Sequence, residues 1–135
     1  MIDVVITEWA LRSYIDLKHQ RVFADREYKT ILRPDAEKLK DGFPSPHPEF
    51  QNAKFWSVAA VAGTPPVQYG FKMKWHNLGP GKIQLRLMVA LFGNAAFLCQ
   101  AYVKVGKSSD VREIAKLKNH IRDIALGKYV HRGNL

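Results

Sequence analysis

The sequence predicts an α+β domain: an N-terminal strand and helical hairpin, an antiparallel β-meander, and a C-terminal helix. Two observations carry that prediction. Residues 67–76, 83–92 and 95–105 are three apolar-rich, strand-like stretches, joined by Asn77-Leu78-Gly79-Pro80-Gly81 and Phe92-Gly93-Asn94, both rich in turn formers. Residues 8–39 and 109–126 instead repeat their apolar residues at helical spacing. Such closely spaced strands favour antiparallel pairing, and this element order favours helices packed on one sheet face.

Taken in order, Ile2 to Ile6 is a short strand. Thr7 is a helix cap before Glu8, an acid suited to the first turn. Ala10, Tyr14 and Leu17 then share a face. A second helix, about Ala24 to Leu39, buries Tyr28, Ile31 and Leu32, and Arg33-Pro34 breaks or kinks it. Residues 42–66 form a Pro-rich insertion with five of the seven prolines; Phe43, Phe50, Phe55 and Trp56 call for burial, so it reads as an ordered loop with a short strand at 55–58. The closing helix starts near Ser109. Asp110 and Glu113 have capping-box spacing, Val111, Ile114, Ala115, Ile121 and Ala125 form its apolar stripe, and Gly127 ends it.

The 135 residues suit one domain, 1–135, and 47% hydrophobic with 24% charged residues describes a soluble globular chain. No apolar run is long enough for a membrane span and no secretion signal is evident, so a cytoplasmic chain without membrane attachment is expected. The single Cys99, inside Phe97-Leu98-Cys99, reads as a packed thiol in a reducing compartment. The five histidines lack ligand spacing, no nucleotide loop or nucleophile elbow occurs, and neither a metal nor a cofactor is expected.

Charge is uneven. Residues 1–66 hold 9 Lys+Arg and 9 Asp+Glu, whereas residues 67–135 hold 12 against Asp110, Glu113 and Asp123, so the whole +9 lies in the C-terminal half. The meander carries much of it: Lys72 and Lys74 alternate with Met73 and Trp75, Arg86 lies in the next strand, and Lys104 ends the third. Alternate residues share a face, so Lys72 and Lys74 point together, and a polyanion would relieve the repulsion of such a face. RNA is a polyanion with its own nucleophile, the 2′-hydroxyl. Its cleavage needs that hydroxyl deprotonated, the phosphorane stabilised and the leaving 5′-oxygen protonated, and a preorganised cation cluster can supply the second without metal. A lysine lowered by like charges can also move a proton. These side chains are expected on one exposed, concave face.

Phe71-Lys72-Met73-Lys74-Trp75, Leu85-Arg86-Leu87-Met88-Val89, Leu98-Cys99-Gln100-Ala101-Tyr102-Val103-Lys104 and Val105-Gly106-Lys107-Ser108 together resemble the strands of RelE/HigB-type toxins of bacterial type II toxin–antitoxin systems. The resemblance covers 67–126 and, more loosely, 1–41; the 42–66 insertion departs from it. It implies a RelE-like fold and a ribosome-dependent mRNA endonuclease held inactive by a cognate antitoxin protein, with oligomers only weakly expected beyond that complex. Lys72 and Lys74 would contact phosphate and assist proton transfer, Arg86 would stabilise the transition state, and Lys104 or Lys107 would supply the last strand's cation. Cys99 or Gln100 stands where the family has a histidine, which leaves His76 or Tyr102 for proton transfer. Lys82, Lys107 and Arg112 are further RNA-contact candidates. Two other readings stay open: a non-nucleolytic ParE-like toxin that inhibits DNA gyrase by binding, and a basic nucleic-acid- or ribosome-binding module.

Overall fold

The computed structural model describes residues 1–135. It is α+β, with a mixed six-stranded sheet in the order β2-β3-β4-β5-β1-β6. In chain order these are β1 (Asp3–Thr7), β2 (Trp56–Val58), β3 (Gly70–Leu78), β4 (Ile83–Phe92), β5 (Ala95–Val103) and β6 (His131–Asn134), with helices α1 (Glu8–His19), α2 (Asp25–Glu27), α3 (Arg33–Glu37) and α4 (Gly106–Ala125). The expected meander is β3-β4-β5, all antiparallel, and β1 joins it parallel to β5.

The sheet is covered on both faces, not one. α1 and the segment after it bury Ala10, Leu17, Phe23, Leu32 and Leu39 against Met73, Trp75, Leu85, Leu87 and Leu98. On the opposite face α4 buries Ile114, Leu117 and Ile124 against Val5, Met88, Phe97 and Cys99. The physical reason is that the second face is mixed: beside its charged residues it carries Met88, Ala90, Phe97 and Cys99, and these apolar side chains also need a cover. Burial pushes the Cys99 thiol up to about 12, which leaves it an inert core group.

Thr7 ends β1 and caps α1: its hydroxyl accepts the Ala10 amide at 3.2 Å and donates to the Leu98 carbonyl of β5 at 2.7 Å. Pro34 does not break the second helical segment. A π-helical turn at Tyr28–Leu32 passes into α3 with Pro34 in its first turn, where no backbone donor is needed, and a 3₁₀ turn at Lys38–Asp41 closes the run. The insertion is ordered through aromatic packing. Phe43 and Phe50 lie 5.2 and 5.1 Å from Trp56, and Trp56 stacks on Phe71 of β3 at 5.2 Å.

Three further boundaries differ from the expectation. β6, on the outer edge of β1, has no apolar alternation and is defined by its pairing alone. α4 begins at Gly106, a turn early, with the Ser109 hydroxyl accepting the Val105 amide at 3.0 Å, so Asp110 and Glu113 form no capping box. Its inner stripe is Asp110, Ile114, Leu117 and Ile124, while Val111 is 49% exposed.

α4 crosses the start of β3 closely. A β-carbon on Gly70 would lie 2.9 Å from Leu117 Cδ2 and 3.0 Å from Val67 Cγ1. Gly70→Ala therefore makes the packed Leu117 and Val67 side chains give way, and a loss of about 1–3 kcal/mol is expected in urea denaturation. An unchanged midpoint would show that the crossing is not tight.

Candidate functional site: a cationic cluster beneath the closing helix

Register decides whether the cations meet. Lys74 pairs with Arg86, and Arg86 with Tyr102; one row along, Lys72 pairs with Met88, and Met88 with Gln100. Directly paired residues share a face, so Lys72, Lys74, Arg86, Gln100 and Tyr102 form a two-row lattice. His76, Gln84 and Lys104 continue it at the strand ends: the Lys104 amide donates to the Gln84 carbonyl at 2.8 Å, and His76 Nδ1 lies 2.8 Å from Gln84 Oε1. In β5, Leu98 pairs with Val89 and Gln100 with Met88, so Cys99 is an extra, bulged residue. The bulge turns Cys99 and Gln100 to the same side, and it lets Phe97 and Tyr102 share the α4 face.

The face is not the open concavity expected. Lys72 and Arg86 are only 7% and 5% exposed. The first turns of α4 lie over them because Asp110 compensates the charge. Its Oδ1 accepts the Tyr102 hydroxyl at 2.5 Å, and its Oδ2 meets Lys104 Nζ at 2.9 Å and Lys72 Nζ at 4.0 Å. Arg86 Nη1 donates to the carbonyls of Trp75 and Leu85 at 3.3 and 3.1 Å. No fully buried side-chain nitrogen or oxygen is left unpaired, and the charge that Lys72 Nζ faces is Asp110 Oδ2 at 4.0 Å.

The 42–66 insertion supplies the other wall. Lys74 Nζ donates to the Ala53 carbonyl at 2.6 Å, the Lys74 amide to Phe55 at 2.8 Å, and His76 Nε2 to Lys54 at 2.5 Å. Both ring nitrogens of His76 are thus engaged.

These surroundings set the protonation states. At 4.0 Å, the Lys72–Asp110 attraction is about 4 kcal/mol at an effective dielectric near 20. Desolvating an ammonium costs a comparable several kcal/mol. Burial wins at Lys72: it lowers the pKa, Asp110 opposes it, and the charges of Lys104 and Arg86 add to it. Burial also lowers Lys74, with Lys72, Arg86 and Lys104 adding to the effect. Burial lowers Arg86 too, against Tyr102 and Asp110. Burial and then the Asp110 hydrogen bond raise Tyr102, which keeps its proton. Burial alone would raise Asp110, but its bonds to Tyr102 and Lys104 and the charges of Lys72 and Lys104 hold it below the ordinary 3.8.

Of the predicted site residues, Lys72, Lys74, Arg86, Tyr102 and Lys104 come together, and His76 stands at their rim. Lys82 does not join them; it lies in the β3–β4 turn with a left-handed φ of 48°. Lys107 and Arg112 are exposed on the outer side of the first turns of α4, where Arg112 faces Glu113 at 3.7 Å.

Sequence reasoning missed Asp110 as a site residue, having read it as a cap. Its i, i+4, i+7 spacing to Ile114 and Leu117 is the signal that places it on the inner stripe. It also missed the chain running from Gln100. The Gln100 amide donates to the Glu113 carbonyl at 2.9 Å and lies 3.0 Å from His120 Nδ1, and His120 stacks on Trp9 at 3.8 Å. Burial pushes His120 down to about 4, so it is neutral at pH 7. No group of histidine, cysteine and carboxylate side chains is placed to hold a metal. No helix is long and apolar enough to cross a membrane.

Compared with protein-family models, with curated proteins and with solved structures, the chain finds no significant match in any of the three.

Asp110→Asn removes the carboxylate that balances Lys72 and Lys104, and a loss of about 2–4 kcal/mol at pH 7 is expected. A carboxyl lowered on folding contributes stability above its unfolded pKa, near 4, and loses it as pH falls through the folded value. Chemical denaturation of the wild type should therefore show stability falling below about pH 4, with a shallower fall in Asp110→Asn. Identical acid profiles would remove Asp110 from this role.

Proposed function

We propose that this chain is a RelE/HigB-like toxin that cleaves mRNA on the ribosome without metal and is neutralised by a cognate antitoxin protein. The observation that supports it is the convergence of Lys72, Lys74, Arg86 and Lys104 on one sheet face, in the strand order of the resemblance. The RelE-like architecture is part of the same proposal; the strand, helical segment, meander and closing helix follow its order.

The chemistry follows from the groups available. A 2′-oxygen attacks the adjacent phosphorus as its proton leaves, the P–O2′ bond forms, and the P–O5′ bond breaks as the 5′-oxygen takes up a proton. The products are a 2′,3′-cyclic phosphate and a 5′-hydroxyl. Lys74, at the rim and lowered by burial and its neighbours, is suited to accept the first proton. Lys72, whose ammonium Asp110 faces at 4.0 Å, is suited to return one. Arg86 and Lys104 face the phosphorane's extra charge. Asp110 offsets only part of the charge of Lys72 and Lys104, and the net positive charge that remains attracts an entering phosphate.

A second reading, RNA binding without cleavage, is favoured by one observation: Tyr102 and both nitrogens of His76 are committed to internal hydrogen bonds, so neither is free for proton transfer.

The test is tightly controlled bacterial expression with mapping of mRNA 5′ ends. Wild type should be toxic and cut within ribosome-occupied codons, and cutting by purified protein on ribosomes should persist with a chelator kept below the level that strips ribosomal magnesium. Lys74→Ala with Arg86→Ala should reduce cutting by about 10²–10³-fold or more. Intact mRNA with damaged or relaxed chromosomes would replace the nuclease with the gyrase reading. Intact mRNA with salt-sensitive RNA binding would leave the binding module.

A further inference from the structure

A groove of about 370 Å³ lies between the turn before β3 and the second half of α4, lined by Pro65, Pro66, Tyr69, Lys118, Ile121 and Arg122. Three features set it apart from an ordinary surface dip. Tyr69 holds a left-handed backbone, φ 67°, which is rare and strained for a bulky residue. That conformation is fixed by the Leu91 amide on the Tyr69 carbonyl at 2.9 Å, and Tyr69 packs at right angles on Phe92 with ring centroids 5.3 Å apart. The residue nevertheless stays 45% exposed. Lys118 and Arg122, one helical turn apart on α4, are both exposed on the groove. Arg122 meets only Asp123, at 3.9 Å, and Lys118 meets no carboxylate.

A presented aromatic ring beside two cations fits a ligand with both π-faces and phosphates. The groove shares both its supporting elements with the cationic cluster. β3 carries Lys72 three residues beyond Tyr69, about 10 Å along the strand. α4 carries Asp110 twelve residues before Arg122, about 18 Å along the helix. Gly70 is where the two elements touch, under Leu117.

We infer that this groove binds single-stranded RNA, with a base stacked on Tyr69 and phosphates held by Lys118 and Arg122. It would take the part of the strand that flanks the bond under attack, and in that role the inference rests on the nuclease reading above. The duplex is a poor ligand because its bases are already stacked and cannot reach the ring.

The experiment separates the two proposals by using RNA that cannot be cleaved. A labelled 12-residue single strand with 2′-O-methyl riboses is titrated into wild type, Tyr69→Leu, and Lys118→Gln with Arg122→Gln. Each variant's melting temperature is recorded alongside. Tyr69→Leu keeps an apolar side chain beside Phe92 but removes the ring, and should weaken binding at least about fivefold. The double variant should weaken it by tenfold or more and reduce the slope of log K against log salt by about 1.4, since each single-strand phosphate contact contributes about 0.7. Blunt duplex RNA should not respond to Tyr69→Leu. Both variants folded and binding like wild type would overturn the groove, whatever the cleavage assay shows. So would a groove-dependent loss of binding for a glutamate-rich peptide but not for RNA. Groove-dependent RNA binding by a wild type that never cuts would uphold the groove and reject the nuclease.

Discussion

Four cations on three neighbouring strands repel one another, and the sheet accommodates them beneath a helix because one carboxylate enters the cluster. Asp110 takes the Tyr102 hydroxyl on one oxygen and faces Lys104 and Lys72 with the other. Without it, the inner side of α4 would set Ile114 and Leu117 beside a cluster with no counter-charge. With it, the helix is both a hydrophobic cover for Met88 and Cys99 and an electrostatic cover for the lysines. The compensation is partial. One carboxylate faces four cations, so burial and mutual repulsion still lower Lys72 and Lys74, which is the condition under which an ammonium group becomes useful for proton transfer and receptive to a phosphate.

The insertion at 42–66 has a related role on the other flank. Its aromatic residues pack it onto β3 through Trp56 and Phe71. The stretch it thereby fixes, 53–55, bonds through its carbonyls to Lys74 and His76. Hydrophobic packing in one part of the insertion thus orients polar backbone in another, and the rim of the cluster is shaped by the turn at 53–55.

Parity within each strand was legible in the sequence: Lys72 and Lys74 had to share a face. The meander, the Thr7 cap and the burial of the insertion's aromatics were legible for similar local reasons. Register between strands was not, because between β4 and β5 it depends on the extra residue Cys99, which sits inside an apolar run with no turn-like signature. The inner face of α4 was misread because polar Asp110 and Glu113 occupy buried positions that an apolar pattern search skips, while Val111 is exposed. β6 was invisible because His131-Arg132-Gly133-Asn134 owes its extended form to β1 alone. The cover over the cluster is therefore a tertiary result: it needs α4 to start early and Gly70 to admit Leu117.

The central claim is that the cations form one electrostatically coupled, anion-receptive site, and the most direct measurement is a pH titration by NMR of the protein carrying ¹³C at the lysine ε-carbons. Lys72 and Lys74 should titrate below the ordinary lysine value of 10.5. Both should move upward when uncleavable single-stranded RNA is added, because a phosphate stabilises the charged forms. Arg86→Ala should raise both in the free protein by removing a neighbouring positive charge. Lysines 72 and 74 titrating at the ordinary value, indifferent to Arg86 and to RNA, would contradict the account.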